Sequence, residues 1–316
     1  MVNWEERRQL VKIANLYYED NWTQEQIAKK LTVSRPIISK SLQKAKDLGI
    51  VEFYINDETV QTVSLEKRLE SEYNLKDALV IPSVDKKPEL TLHSVGRSAA
   101  YYLSKNMKDI QSLGISWGQT LTSLVKEYPY ELRENMKVVP LEGGMGRKKV
   151  EIHANQLAYE LAKKMGGECS FLYAPAIVES EELMNRLRSM EDISEVIEEG
   201  RNVDMAVISI GNPYEHSTLK SVGYLEEEDV KELKKLGVVG DMGFRFFDQD
   251  GKPVHLPRDK RVVGLSLDDL KQIKQVVAVV AGNYKADSLL GMLKGNYIDV
   301  LITDDETAKT IIQKSG

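Results

Sequence analysis

The sequence predicts a two-domain α plus α/β protein: a small N-terminal helix-turn-helix domain with a wing, then a larger α/β domain with a mostly parallel sheet. Three observations carry this. The chain has 316 residues and ordinary globular composition, with 42% hydrophobic and 29% charged side chains, about twice a single-domain length. Its charge is split: residues 1–56 hold nine Lys/Arg against seven acids, a net +2, within a chain whose total is −6. Beyond residue 76, short apolar runs alternate with amphipathic stretches, the pattern of strands and helices in an α/β domain. The expected boundaries are 1–56 for the first domain, 57–76 for a linker helix and 77–316 for the second.

The first helix is expected over roughly 4–19, where Leu10, Ile13, Ala14, Leu16 and Tyr17 form one apolar stripe. Thr23-Gln-Glu-Gln26 has the form of a capping box and opens a short helix carrying Ile27, Ala28 and Leu31. After Thr32-Val33, Ser34 suits an N-cap, and Pro36 in the first turn loses no hydrogen bond. The third helix runs from about Arg35 to Leu48, and Gly49 is placed to end it.

Two short helices across a tight turn, with small Ala28 between them, describe a helix-turn-helix. Between Thr23 and Lys46 there are six basic residues and one acid. Thr23, Ser34, Arg35, Pro36, Ser39, Lys40, Gln43 and Lys44 form the candidate DNA-contacting set, in which Arg, Lys and Gln suit base edges and hydroxyls suit phosphates. An ordinary three-helix bundle with a solvated basic face would show the same periodicity. Ile50–Ile55 alternates like one strand of a wing. Val63, Leu65, Leu69 and Tyr73 are spaced for the linker helix, either a spacer or a dimer contact.

In the second domain the expected strands are Ala78–Pro82, Ile110–Ser116, Lys137–Leu141, Cys169–Tyr173, Met205–Ile210, Val238–Met242, Val276–Ala281 and Val300–Thr303. Helices are expected over Val95–Met107, Ile152–Lys164, Glu226–Lys235, Lys285–Leu293 and Glu306–Lys314. Ligands of such sheets sit beyond the carboxyl ends of the strands, so the loops there matter. Ser116-Trp-Gly118-Gln119-Thr120 precedes a helix whose free N–H groups can hold an anion. Glu142-Gly143-Gly144-Met-Gly146, Gly211-Asn212, Asp241-Met-Gly243 and Gly282-Asn-Tyr-Lys285 follow other strands, and each glycine alone equally suits a plain turn. Lys285 in a first helical turn opposes the macrodipole, a local conflict of the kind found at functional sites. Asp241 fits either a turn cap or a site. Asn155, beside Leu157 on a helix face, needs hydrogen-bond partners that backbone or a sugar hydroxyl could supply.

Composition narrows the function classes further. One cysteine, Cys169, excludes an internal disulfide, and four scattered histidines leave no zinc motif of the CxxC type; no cofactor is expected. MVNWEERRQL turns charged at once and no window approaches 18 apolar residues, so a soluble, cytoplasmic protein without membrane partners is expected.

The segments TQEQIAKKLTVSRPIISKSLQKAKDLGIVEF, GISWGQT, VPLEGGMG, GDMGFRFFDQDGKPV, RVVGLSLDDLKQI and AGNYKADSLLGMLKGNYIDVLITDDETA, in this order, resemble the SorC/DeoR-type bacterial sugar-binding transcriptional regulators. The resemblance spans about Glu6 to Ala308. It implies a Rossmann-like effector domain similar to sugar-phosphate isomerase and deaminase folds, an operator-reading helix-turn-helix, and a homodimer or homotetramer on pseudo-palindromic DNA. It also implies an effector site of Ser116, Gly118, Gln119 and Thr120, with Glu142, Gly143, Asn155, Asp241 and Lys285 around the sugar. Glu142 departs from relatives that carry a Schiff-base lysine or a phosphate-binding arginine at that position. A carboxylate there would repel phosphate and accept hydroxyls, which favours a free sugar, polyol or sugar monophosphate over a bisphosphate. The alternative is a sugar-phosphate isomerase or deaminase with an N-terminal appendage, using Glu142 or Asp241 as general base. A basic helix-turn-helix has no use in such an enzyme.

Overall fold

The computed structural model describes residues 4–51, 60–84 and 87–315, which divide into two compact units, Met1–Val60 and Gln61–Gly316.

The first unit holds helices α1 (Trp4–Tyr18), α2 (Gln24–Leu31) and α3 (Arg35–Asp47). Ile13, Leu16, Ile27, Ala28, Ile38 and Leu42 interlock as its core. The capping box forms as the sequence suggests: the Gln26 amide donates to Thr23 Oγ1 at 3.2 Å, and the Thr23 amide donates to Gln26 Oε1 at 2.8 Å. Thr32, left-handed at φ 54°, turns the chain into α3 within three residues. Ser34 is extended at the N-cap, but its hydroxyl makes no capping bond. Most of the strand expected over Ile50–Ile55 lies outside the described residues, as does the start of the expected linker segment.

The second unit opens with α4 (Val60–Tyr73). Its main sheet is built from seven parallel strands: β1 (Asp77–Ile81), β2 (Ser112–Ile115), β3 (Lys137–Pro140), β4 (Glu168–Cys169), β5 (Met205–Ile208), β8 (Val276–Val280) and β9 (Val300–Asp304). The order is β1-β9-β8-β5-β2-β3-β4. Between them, β6 (Val238–Met242) and β7 (Arg245–Asp248) form a separate antiparallel pair. The remaining helices are α5 (Pro88–Asn106), α6 (Gln119–Glu127), α7 (Ala154–Met165), α8 (Glu181–Arg188), α9 (Glu191–Arg201), α10 (Thr218–Val222), α11 (Glu227–Lys235), α12 (Leu267–Leu270), α13 (Ala286–Lys294) and α14 (Asp305–Ser315).

The central strands are apolar at every position because both faces are covered, the usual state of a parallel sheet. Val207, Val277 and Ile302 point to one face, against Val95, Leu121 and Leu157 of α5, α6 and α7. Ile208, Ala278 and Leu301 point to the other, with Leu69, Leu289 and Ile311 of α4, α13 and α14.

One strand expectation is corrected: Cys169–Tyr173 shrinks to Glu168–Cys169, because β4 is an edge with one partner and the chain then leaves the sheet. Val238–Met242 is a strand over the expected residues, and it pairs antiparallel with β7, outside the main sheet.

Candidate functional site

From β2 the chain moves outward to β3 and β4, then returns to place β5 on the other side of β2. The β2/β5 boundary is therefore the topological switch point, where the loops following the two strands part and leave a crevice. A cleft lies there, lined by Trp117 to Thr120 after β2, Ser209 to Asn212 after β5, Asp241 and Gly243 of the β-hairpin, and Tyr284 and Lys285 after β8. Its inner part has a cavity volume of about 40 Å³. Leu92, Gln119, His216, Ser217, Thr218 and Tyr284 also line an outer cleft of about 1050 Å³, so the two communicate.

The inner wall is a helix N-terminus. Gly118 caps α6 with no side-chain bond, and the first helical amide with a carbonyl partner is Thr122, donating to the Gly118 oxygen at 2.9 Å. The amides of Gln119, Thr120 and Leu121 stand before that first bond, and nothing among the described residues accepts from them. Opposite stand two charged groups. Asp241 is 3% exposed, and burial pushes its carboxyl up to about 7, against the lowering influence of the Lys285 charge. Burial in turn pulls the Lys285 ammonium down to about 8, while Asp241 and Asp304 hold it up. Neither side chain has a hydrogen bond among the described residues, so both remain available to a ligand. Gly211 makes room for this arrangement: a Cβ there would lie 2.2 Å from Asp241 Oδ1.

Lys285 is the junction of a short 3-10 turn, Asn283–Lys285, with α13. The conflict with the helix dipole noted in the sequence is real, and the neighbouring Asp241 charge offsets it.

Glu142, expected among the ligand contacts, is placed differently. It is 1% exposed and absent from the cleft wall. Ser116 Oγ donates to Glu142 Oε1 at 2.8 Å, while Oε2 has no partner. Burial raises this carboxyl to about 8 against the Ser116 hydrogen bond, which favours its neutral form and weakens the expected repulsion of phosphate. Gly243, left-handed at φ 55°, separates it from the cleft, and a Cβ on Gly243 would lie 2.6 Å from Glu142 Oε1. Ser116 itself is buried, so it supports the loop from below.

Asn155 and Gly143 also serve the scaffold. The Asn155 amide brackets the Leu172 backbone, donating to its carbonyl at 3.0 Å and accepting from its N–H at 2.9 Å. These two bonds use one donor and one acceptor of the amide. Gly143 lies so close to the chain at Ala174 that a Cβ would sit 2.5 Å from that carbonyl. Thus Gly118, Gln119, Thr120, Asp241 and Lys285 meet at the cleft, and Ser116, Glu142, Gly143 and Asn155 do not line it. Of the other cleft residues, Asn212 and Tyr284 lie in loops that the sequence singles out without giving these two side chains a role, and His216 lies outside those loops. Asn212 Nδ2 donates to the Tyr284 carbonyl at 2.5 Å, and the His216 ring meets the Tyr284 ring edge-on at 5.0 Å.

In the first unit, Arg35, Pro36, Ser39, Lys40, Gln43 and Lys44 are exposed along α3, as are Thr23 and Ser34 near the helix starts. Three of these side chains already have partners: Thr23 is held in the capping box, Lys44 pairs with Glu6 of α1, and Gln43 donates to Asp47 at 2.9 Å. Ile37, 49% exposed among them, escapes a reading that looks only for polar groups.

Comparison with known proteins bears directly on this geometry. The family model described as "Putative sugar-binding domain" matches residues 57–313. The deoxyribonucleoside regulator of Bacillus subtilis is 30% identical over 308 residues, covering 97% of this chain and 98% of the relative. The chain belongs to the SorC/DeoR-type family of sugar-binding transcriptional regulators. Another member, the sorbitol operon regulator of Klebsiella pneumoniae, is 29% identical; its full-length crystal structure superposes with a TM-score of 0.76 over 96% of this chain and 98% of that one. A DeoR family transcriptional regulator from Listeria monocytogenes is 40% identical, with a TM-score of 0.75, over 79% of this chain and 99% of that one. These family members share the mixed α/β architecture with its parallel sheet. No helix among the described residues is long and apolar enough to cross a membrane.

Proposed function

We propose that this chain regulates transcription of a carbohydrate-utilisation operon, binding operator DNA through a helix-turn-helix and a sugar, polyol or sugar monophosphate through the cleft. The observation that carries the effector half is the convergence in one crevice of the Lys285 ammonium and the Asp241 carboxyl, neither hydrogen-bonded among the described residues, with the first three amides of α6. Amides and ammonium suit a phosphate or other electron-rich end of the ligand, and the carboxylate suits hydroxyls. Glu142 acts from beneath by holding Ser116, which sets the entry to the α6 amides.

For the DNA half, α2, the Thr32 turn and α3 form the motif, and α3 is its recognition helix. Arg35, Ser39, Lys40 and Gln43 read or anchor to DNA, and Ile37 offers an apolar contact to a thymine methyl group. Lys44 reaches a phosphate on leaving Glu6. A homodimer or homotetramer would place two such helices in successive major grooves of a pseudo-palindromic site. The effector shifts operator affinity by binding the two states unequally.

Asp241, held near neutrality, would also suit a general base, which is the one observation favouring a sugar-phosphate isomerase. The relatives are named as regulators, which favours the regulatory reading. Mobility-shift titration with and without sugar monophosphates tests it. Operator affinity that responds to one of them supports the proposal, and turnover of that compound without DNA binding overturns it.

A further inference from the structure

We propose that the effector is a disaccharide monophosphate, its phosphate in the inner cleft and its second sugar ring in the outer one. This rests on the sugar-binding reading above and extends it to ligand size. The inner cleft, at about 40 Å³, admits a phosphate-sized group but is far below the ~300–1000 Å³ of pockets that enclose a whole small molecule. The α6 amides and Lys285 suit an anion there, so the charged end enters first. A sugar attached to it must extend past Gln119, His216 and Tyr284 into the outer cleft, whose volume of about 1050 Å³ exceeds the need of a single ring.

The outer walls select for an uncharged, hydroxyl-rich second unit. Lys87, Lys149 and Lys220 line it, but Glu89, Asp304 and Glu306 match them in number. Two of the lysines are engaged already: Lys149 donates to Ser221 Oγ at 3.0 Å, and Lys220 pairs with Glu227 at 2.8 Å. No cluster of free cations awaits a second phosphate. Instead Thr218 brings a hydroxyl to the wall, and the Thr91 and Ser217 hydroxyls, each accepting one backbone N–H, keep their own O–H to donate. The Tyr284 ring lies at the junction of the two clefts, where the apolar C–H face of a pyranose can pack on it. His216, against that ring, is held at a left-handed φ of 49°, a conformation that costs free energy and recurs in ligand clamps.

Calorimetry on the full chain compares glucose 6-phosphate and fructose 6-phosphate with trehalose 6-phosphate, sucrose 6-phosphate and cellobiose 6-phosphate, and with fructose 1,6-bisphosphate. At least one disaccharide phosphate is expected to bind tenfold or more tightly than either monosaccharide phosphate. Asn283→Trp fills the outer cleft from an exposed position. It should erase that margin while leaving monosaccharide phosphate affinity and melting temperature unchanged. Monosaccharide phosphates binding as tightly as every disaccharide phosphate, or a preference for the bisphosphate, overturns the two-unit effector and leaves the sugar-binding reading standing. Binding of none of these compounds overturns both.

Discussion

Replacing Lys285 by methionine should stabilise the ligand-free protein and weaken the effector response, two effects of opposite sign from one substitution. The ammonium is half-buried, has no hydrogen bond and is held down to about 8 from its ordinary 10.5. A lowered lysine pKa means that at pH 7 the folded state holds this proton less tightly than the unfolded state does. The cost is fully present below pH 8 and fades as pH rises from 8 to 10.5. At about 1.4 kcal/mol per pKa unit the full shift would correspond to ~3 kcal/mol. Partial exposure, and the loss of the favourable Asp241 attraction in the variant, reduce the expected gain to ~1–2 kcal/mol. For an effector domain of this size that raises the melting temperature by ~2–8 °C. Hydrogen bonds to a charged group contribute ~1.5–3 kcal/mol each, so effector affinity should fall by ~10- to 150-fold. Scanning calorimetry of the ligand-free protein, effector titration and operator mobility shift measure the three quantities. A lower melting temperature would mean that Lys285 holds the fold together. Unchanged effector affinity would remove it from the site.

Three further outcomes follow from the same geometry. Stability should fall as pH rises from about 5 to 8, because the unfolded Glu142 and Asp241 carboxyls ionise at 4.5 and 3.8, whereas the folded ones keep their protons to about 8 and 7; Glu142→Gln should flatten this slope in melting curves across that range. Lys40→Ala should weaken operator binding and reduce the slope of log affinity against log salt by ~0.9 if it contacts one phosphate, with no change in melting temperature because the side chain is exposed. Asn155→Ala should cost ~1–3 kcal/mol by leaving the Leu172 backbone unpaired, while effector affinity stays unchanged; a selective loss of affinity would return Asn155 to the ligand.

How much of this was legible in the sequence depended on the range of the interaction involved. The capping box at Thr23, the turn before Ser34 and the apolar runs of β5 and β8 are set by neighbours along the chain, and local pattern reading finds them. The turn at Gly118–Thr120 is local too, because a helix that starts directly after a strand brings its unpaired first amides to the strand's end. Lys285 stood out through its conflict with the helix dipole.

The rest depends on partners distant in sequence. Val238–Met242 has the composition of a sheet strand, and only its pairing with Arg245–Asp248 removes it from the main sheet. For Asn155 the sequence leaves backbone and sugar open as partners, and the backbone partner, at Leu172, lies 17 residues away. The position of Glu142 outside the cleft wall depends on Gly243, which the hairpin brings over it. His216 gives no local signal, and its pairing with Tyr284 exists only once the loops after β5 and β8 meet.

The most direct test of the central claim is selection of genomic DNA fragments by the full-length protein, repeated with the Lys40→Ala variant and with the sugar phosphate that calorimetry identifies. The account predicts enrichment of fragments carrying inverted repeats whose half-sites lie a whole number of ~10.5 bp turns apart, beside carbohydrate-utilisation genes. Enrichment should be lost with Lys40→Ala and altered by the sugar phosphate. Enrichment of no sequence over bulk DNA, or a pattern unmoved by both perturbations, would contradict it.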